Sequence, residues 1–298
     1  MVERYQRVGT HLSVLRSSAP DPTLVSYLSW LLARARSKAT RSGPVNWAGV
    51  GRFVTASFPA ALYRLRWWWI VSAAANVVVA FAVGWWFLAN PGFESSLLSP
   101  AEIERLVSSD FESYYSQHAA SSFAARVWTN NAWVSALCIA FGVLGFPVVL
   151  LLWRNIMNVA LVGAIMVRHD RGGLFFGLIL PHGLLELTAV FVAAAVGLRL
   201  FWSWVEPGSR SRLAAFAHEG RVAAGVALGL AGVLAVSGAI EAFVTPSSLP
   251  TWARIAIGVA AEVAFCLYVF ILGRRAHEQG DSGDASGAVL ADQLPSRG

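Results

Sequence analysis

The stretch "LILPHGLLELTAV", residues 178–190, contains a helix breaker, an imidazole and a carboxylate within an apolar run from Leu174 to Trp202. A charged side chain at the centre of a membrane helix costs about 3 kcal/mol on insertion scales. His182 and Glu186 are four residues apart, so on a helix they share one face. The stretch therefore predicts a polar site inside a membrane-spanning helix, beside a helix break at Pro181 and Gly183.

The composition of the whole chain is that of a membrane protein with several spans. Of its 298 residues 56% are hydrophobic and only 13% are charged, whereas soluble domains have about 25% charged residues. Ten of the 23 Lys and Arg residues precede Trp67, and most of the others cluster beside apolar runs. This distribution is typical of membrane orientation and not of a nucleic-acid-binding surface. We therefore expect a lipid bilayer around the protein and no nucleic-acid partner.

Six apolar segments approach or exceed the roughly 20 residues that a helix needs to cross a bilayer. We expect a turn at Arg154 between the second and third segments, and a kink at Pro181 in the fourth. The pattern predicts an all-α, polytopic transmembrane helix bundle of about six spans. The segments are 67–89, 131–153, about 154–167, 174–202, 222–244 and 252–273.

A second topology treats residues 155–180 as a re-entrant hairpin, with a full span that begins at His182. Six spans with both termini inside place 18 of the 23 Lys and Arg residues on the cytoplasmic side. The re-entrant topology places only about 14 there, and inside loops are the ones enriched in basic residues. The distribution favours six spans in the cell membrane, with cytoplasmic N- and C-termini.

Three regions are expected along the chain. Residues 21–43 predict an amphipathic helix, and residues 46–66 resemble an in-plane helix that leads into the bilayer. Ser99 and Glu102 form a capping-box pattern, which predicts a short extracytoplasmic helix. The regions are the cytoplasmic amphipathic region 1–66, the transmembrane domain 67–273 with its extracytoplasmic loop 90–130, and a disordered tail, 274–298.

Other polar side chains lie within or beside the apolar runs. At about 1.5 Å per residue, His182, Glu186 and Glu262 lie roughly 12–18 Å below the outer boundary, and Glu241 only a few ångströms below it. The shared depth of the first three predicts a polar pocket in the outer half of the bundle. The expected cluster comprises His182, Glu186, Glu241, Glu262, Asn131 and Asn155.

These residues leave three chemical interpretations open: a structural polar core, a binding or translocation cavity, and a catalytic or metal site. One histidine with carboxylates is a thin set of zinc ligands, and the H-E-x-x-H spacing is absent. The sequence also shows no serine-nucleophile motif and no phosphate-binding loop. We therefore expect no metal, no cofactor and no catalytic residue.

Several segments resemble, in order and spacing, the stage II sporulation protein M family in the form common among actinobacteria. The Leu-Pro-His-Gly-x-x-Glu core is unusual within a membrane span. The segments are "NNAWVSALCIAFGVLG" (130–145), "RNIMNVALVGA" (154–164), "LPHGLLELTA" (180–189), "GLRL" (197–200), "PGSRSR" (207–212) and "GAIEAFVTPSSLPTWARIAIG" (238–258).

In endospore formers, members of this family act in engulfment and are described as anchoring peptidoglycan-degrading enzymes at the septal membrane. The resemblance implies a scaffold that recruits other membrane or cell-envelope proteins for peptidoglycan remodelling, and self-association stays open. The alternative is a transporter or lipid-handling protein that uses a cavity around His182, Glu186 and Glu262. The residues that match the family signature are Asn131, Asn155, His182, Gly183, Glu186, Glu241 and Pro246.

Overall fold

The computed structural model describes residues 47–107 and 120–284, without the side chains of 120–128. The predicted helix at 21–43 and the last part of the predicted tail, 285–298, lie outside the described residues. The chain divides into two units, Met1–Gly51 and Arg52–Gly298, and the fold below is that of the second. The described residues contain helices and no β-strand, so the all-α prediction is confirmed.

The helices are numbered α1 to α11 in chain order. A π-helical turn, Phe53–Ser57, follows α1, a 3-10 turn, Phe141–Leu144, follows α6, and a second π-helical turn, Tyr268–Gly273, joins α10 to α11. The helices are α1 Trp47–Arg52, α2 Phe58–Arg64, α3 Arg66–Ala89, α4 Pro91–Leu97, α5 Pro100–Arg105, α6 Ala120–Ala140, α7 Phe146–Arg168, α8 Gly172–Val205, α9 Arg212–Phe243, α10 Thr251–Leu267 and α11 Arg274–Glu278.

Five helical stretches are long and apolar enough to cross a membrane. They are α3, α7, α8, α9 and the continuous stretch Thr251–Glu278, and the shorter apolar stretch Thr129–Leu144 lies between α3 and α7. Within its most apolar window α8 is 67% buried, against 17% for α3. Helix α8 is therefore the central helix, and α3, α6, α7, α9 and α10 all pack against it.

The chain turns between α6 and α7 at Gly145, and the predicted turn at Arg154 is wrong. Gly145 has φ of 70°, a value that glycine adopts readily and other residues adopt at a cost. Pro147 occupies the first turn of α7, where a missing backbone N–H costs little. Arg154 is an exposed residue within α7, and its long side chain can reach polar surroundings without a turn.

Helices α6 and α8 cross in direct backbone contact. A Cβ atom on Gly142 would collide with the backbone of Gly197, and a Cβ atom on Gly197 would collide with the carbonyl oxygen of Cys138. Small residues at such a crossing let two membrane helices approach closely. This contact brings the polar residues of α6 within reach of α8.

Successive spans run in opposite directions, so the first turns of some helices lie beside the last turns of others. The Arg66 end comprises the first turns of α3, α7 and α9 and the last turns of α6, α8 and the Thr251–Glu278 stretch. There Glu219 of α9 accepts two hydrogen bonds from Arg64, and its Oε1 lies 3.4 Å from Nε of Arg199 on α8. The Glu94 end is the opposite one, where α4 packs near the turn between α7 and α8.

Residues 52–64 continue the helical run that begins at Trp47, and the predicted in-plane position of this run in the membrane stays a prediction. They comprise the end of α1, a π-helical turn and α2, in which Phe58–Leu62 are buried. The Phe58 ring occupies the space that a side chain on Gly229 of α9 would fill. The backbone carbonyl of Pro59 likewise occupies the space beside Gly273. The missing side chains of these two glycines make room for α2 on the bundle.

The first part of the predicted disordered tail is structured. Helix α11 continues the last span, and beyond it Ser57 donates a 3.1 Å hydrogen bond to Asp281. Arg221 of α9 donates a 2.9 Å hydrogen bond to Asp284. The composition of the tail predicts disorder, but two of its carboxylates find partners at the Arg66 end.

The predicted capping box after α3 is confirmed. The Ser99 side chain accepts a hydrogen bond from the backbone N–H of Glu102, and the Glu102 side chain accepts one from the backbone N–H of Ser99. These reciprocal bonds begin α5. Of the predicted extracytoplasmic helix, the part beyond residue 107 lies outside the described residues.

Candidate intramembrane polar site

The polar site begins at the proline in the middle of α8. Pro181 lacks a backbone N–H and therefore cannot complete the normal hydrogen-bond ladder, yet the helix continues through it from Gly172 to Val205. Helix α10 packs directly onto this point, because a Cβ atom on Gly258 would lie 2.7 Å from the Pro181 Cα atom. The interrupted turn of α8 is thus enclosed by a neighbouring helix.

His182 of α8 contacts α9 and Thr245, which lies two residues after the end of α9. Its Nδ1 atom lies 3.3 Å from Oγ1 of Thr245, and its Nε2 atom lies 3.5 Å from Oε1 of Glu241. The backbone carbonyl of His182 accepts a 2.8 Å hydrogen bond from the Ser237 hydroxyl. The imidazole is 5% exposed, so its polar atoms depend on protein partners.

Glu186 lies one helical turn beyond His182 and connects α8 to α6. Its Oε2 atom accepts a 2.7 Å hydrogen bond from the side-chain amide of Asn131. Ser237 also interacts with this carboxyl group. The Oε1 atom is buried without a hydrogen-bond partner in the described part of the chain, so the carboxyl group has one acceptor position to spare.

Glu241 is the most deeply buried carboxyl group of the site. The residue is 1% exposed, and neither carboxyl oxygen has a hydrogen-bond partner among the described residues. The 3.5 Å approach of His182 is therefore a close contact without hydrogen-bond alignment. Glu241 also interacts electrostatically with Glu186, so two carboxyl groups share one enclosed region.

Glu262 belongs to a different face of α8. Its Oε1 atom accepts a 3.0 Å hydrogen bond from Thr188 and a longer contact from the Cys266 thiol. Thr188 is two residues after Glu186, which is about 200° around a helix. The structure therefore places Glu262 with α10 on the Pro181 side of α8, apart from the cluster that α8 forms with α6 and α9.

The structure brings together four of the residues that the sequence predicts: Asn131, His182, Glu186 and Glu241. Asn155 is half-buried on α7 and forms no hydrogen bond with this cluster in the described part of the chain. The sequence estimate separated Glu241 from His182 in depth, whereas the structure joins them. Because α8 spans 34 residues, about 51 Å, a depth counted from the start of its apolar run is too large.

Four contributing residues were missed by the sequence interpretation: Ser237, Thr245, Thr188 and Gly258. Ser237 had a usable signal, because it precedes Glu241 by four residues and so shares its face of α9. Thr188 and Thr245 are small polar residues of a kind common in membrane helices, and Gly258 carries no chemical signal. Only the packing of α9 and α10 on α8 identifies these three.

The cluster combines two carboxyl groups and one imidazole. Three of its buried carboxyl oxygens, one on Glu186 and two on Glu241, accept no hydrogen bond from the described residues. No Lys or Arg side chain among the described residues forms an ion pair with Glu186 or Glu241. Within the same residues, no group of three or more His, Cys, Asp or Glu side chains is arranged to hold a metal ion. These side chains can join α6, α8 and α9 to one another, and carboxyl and imidazole groups can also bind protons.

A second polar junction lies at the Glu94 end, outside the spans. The buried carboxyl group of Glu94 accepts hydrogen bonds of 2.9 Å from Arg168 and lies 2.9 Å from Nε2 of His169. Arg168 also donates to the backbone carbonyl of Phe87. Burial would raise the pKa of Glu94, but hydrogen bonds and charges from Arg168 and His169 outweigh burial and keep that pKa below its ordinary 4.5.

Apolar helices of membrane-spanning length around an enclosed His–carboxyl cluster define an α-helical integral membrane protein. More specifically, the family model of stage II sporulation protein M matches residues 73–246. This match covers more than half of the chain, and the chain belongs to that family. Residues 1–41 match a separate domain of unknown function, DUF8413. No curated protein and no solved structure matches the chain.

The family match includes Asn131, His182, Glu186 and Glu241 and ends before α10. Glu262 therefore lies outside the matched region as well as outside the cluster.

Proposed function

We propose that this family member is a multi-pass cell-membrane scaffold that recruits cell-envelope or peptidoglycan-remodelling partners at its Glu94 end. The observation that carries the proposal is the two-faced helix α4. One side is held by Glu94, which is buried, while Phe93 and Leu97 are 37% and 45% exposed. Phe93 and Leu97 are four residues apart and share a face. Phe93 also contacts the Trp86 ring, so Leu97 and the free edge of Phe93 form a small apolar surface that a protein partner could cover.

The distribution of arginine supports an orientation with both termini in the cytoplasm. Among the described residues, the Arg66 end carries more arginines than the Glu94 end, and basic residues are enriched on the cytoplasmic side. This orientation directs α4 and α5 to the outside, where the peptidoglycan lies. The arginines of the Arg66 end are Arg52, Arg64, Arg66, Arg199, Arg210, Arg212, Arg221, Arg274 and Arg275.

The intramembrane cluster has a structural role in this proposal. Hydrogen bonds join Asn131 of α6 to Glu186 of α8, and Ser237 of α9 to the backbone carbonyl of His182 on α8. Interhelical hydrogen bonds in membranes contribute about 0.6–2 kcal/mol each. Together they hold the spans in one arrangement, and α4 is fixed to that arrangement through Arg168.

Site-specific photocrosslinking in cells tests the scaffold. A photoreactive amino acid replaces Leu97, and a matched probe replaces Ser95, which is exposed on the opposite side of α4. We expect adducts with envelope proteins from position 97 and few from position 95. The Glu94→Gln variant, which weakens the attachment of α4, should reduce the adducts at 97. Equal protein labelling from both positions would contradict the proposal.

Ion-coupled transport is a second candidate function, because Glu241 lies beside Glu186 and has two buried oxygens without hydrogen-bond partners among the described residues. Such a carboxyl pair can take up and release protons when the surroundings change. Purified protein in liposomes containing a pH-sensitive dye tests this function under an imposed potential. Proton flux that disappears in Glu241→Gln would support transport and count against a purely structural cluster. The absence of flux above that of protein-free liposomes would eliminate it.

A further inference from the structure

A groove of about 550 Å³ runs along the outside of the bundle between α3 and α7, with Leu198 of α8 at its base. Trp67 and Trp68 form its upper wall at the Arg66 end, and Val79 marks its lower end. From Trp67 to Val79 the helix rises about 18 Å. The groove is thus long and apolar, and it begins at two tryptophans. Tryptophans are enriched where membrane proteins contact lipid headgroups.

Two polar residues interrupt the apolar lining. Ser72 and Asn76 both line the groove and are both 8% exposed. The Asn76 amide donates a 2.8 Å hydrogen bond to the backbone carbonyl of Ser72. The Ser72 hydroxyl has no hydrogen-bond partner within the described residues. A buried hydroxyl in an apolar groove is satisfied best by an acceptor on the ligand that occupies the groove.

A cation lies beside Trp67 at the Arg66 end of the groove, although Arg66 itself does not line the groove. The guanidinium carbon of Arg66 lies 4.2 Å from the ring centroid of Tyr63 and 5.9 Å from that of Trp67, which lines the groove. Arg66 also donates a hydrogen bond to the carbonyl of Tyr63. In the described part of the chain it forms no ion pair with a carboxylate. Its charge is therefore positioned by two aromatic rings and remains available to an anion.

From these observations we propose that the groove binds one anionic glycerophospholipid. Arg66 contacts the phosphate, the Ser72 hydroxyl donates to an ester carbonyl, and an acyl chain lies along α3 toward Val79. Ser72 lies about 9 Å further along the helix axis than Arg66, so the headgroup would lie at the Trp67 end and the ester groups deeper in the groove. The bound lipid fills the contact between α3 and α7.

The proposal is independent of the scaffold and transport functions. The groove shares no residue with the His182 cluster or with the Glu94 junction, and the lipid would occupy it in either orientation of the protein. A second copy of the chain is the competing occupant. Arg66 favours the lipid, because a phosphate would supply an anion to a cation that lies beside Trp67 and has no carboxylate partner among the described residues.

Native mass spectrometry of the full-length protein in detergent, with added lipid, tests the proposal. The probes are phosphatidylglycerol and phosphatidylcholine with identical acyl chains. We expect phosphatidylglycerol to bind about fivefold more tightly, as one arginine beside an anionic headgroup provides. Arg66→Gln should abolish this preference, because it removes the cation beside Trp67. Arg154→Gln, which removes an exposed arginine of α7, should retain it.

Filling the groove provides a second, steric test. Ala74 and Ala75 are both exposed on α3, but only Ala75 lines the groove. Ala75→Trp should reduce retention of phosphatidylglycerol at least about fivefold, and Ala74→Trp should leave it unchanged. A thermal unfolding curve for each variant shows that the fold is retained.

Equal binding of the two lipids by the wild-type protein, or an unchanged preference in Arg66→Gln, would mean ordinary boundary lipid only and would overturn the proposal. A dimer that dissociates in Ala75→Trp but not in Ala74→Trp would assign the groove to a second copy and would also overturn it.

Discussion

The side-chain amide of Asn131 on α6 donates a 2.7 Å hydrogen bond to Oε2 of Glu186 on α8. The two residues are 55 positions apart in the chain, and the contact depends on the close backbone crossing of Gly142 with Gly197. A polar pair of this kind joins two spans in surroundings where water does not compete for the bond. Stability and function can therefore be tested at the same positions.

Replacing Asn131 with Leu should destabilise the bundle by about 1–2 kcal/mol, because Glu186 loses its donor within the membrane. Thermal unfolding in detergent or nanodiscs measures the effect. Asn158→Leu, at an exposed position on α7, is the control and should change stability little. In a double-mutant cycle, Asn131→Leu and Glu186→Gln should be non-additive. Additive losses would show that the two side chains do not interact in lipid.

Replacing Gly258 with Ala should destabilise the protein, because the added methyl group would lie 2.7 Å from the Pro181 Cα atom. Rigid backbone cannot move aside cheaply, and overpacking of this type costs about 1–3 kcal/mol. Gly232→Ala is the matched control, since no atom lies within 4 Å of the added methyl group. It should be neutral or stabilising by up to about 1 kcal/mol, as expected for Gly→Ala in a helix. Equal melting temperatures in both variants would refute the predicted contact.

Acidification should release α4 from the bundle. The Arg168 and His169 partners hold the pKa of Glu94 below its ordinary value of 4.5. A carboxyl group with a lowered pKa in the folded state stabilises that state above pH 4.5 and loses the contribution as pH falls through its folded pKa. The protection of residues 91–105 from hydrogen exchange, corrected for the intrinsic pH dependence of exchange, should therefore decrease below pH 4.5. In Glu94→Gln exchange should be faster at neutral pH, with a smaller acid-induced change.

Glu241→Gln and Glu262→Gln should have additive effects on stability, to within about 0.5 kcal/mol. Glu241 interacts with His182 and Glu186, whereas Glu262 accepts from Thr188 on another face of α8. Glu241→Gln and Glu186→Gln, by contrast, should be coupled because these carboxyl groups interact. Coupling between Glu241 and Glu262 in unfolding experiments would instead indicate one continuous polar cavity.

Much of the architecture follows from local sequence patterns. The apolar runs predict the long helices, since a backbone in lipid must satisfy its hydrogen bonds internally. The spacing of His182 and Glu186 predicts their shared face, and Ser99 with Glu102 predicts the start of α5. The turn at Gly145 was also readable from a glycine followed by Pro147, but the charge of Arg154 suggested a different place.

The sequence by itself determined that this chain folds as apolar helices with a few ionisable groups inside them, because hydrophobicity and helical spacing are properties of neighbouring residues. Only the tertiary structure decided which groups meet. In the structure Glu241 contacts His182, Asn131 donates a hydrogen bond to Glu186, and Thr188 donates one to Glu262. Those choices depend on how closely helices cross at Gly142, Gly197 and Gly258, and contacts between distant segments leave no periodic signal in the chain.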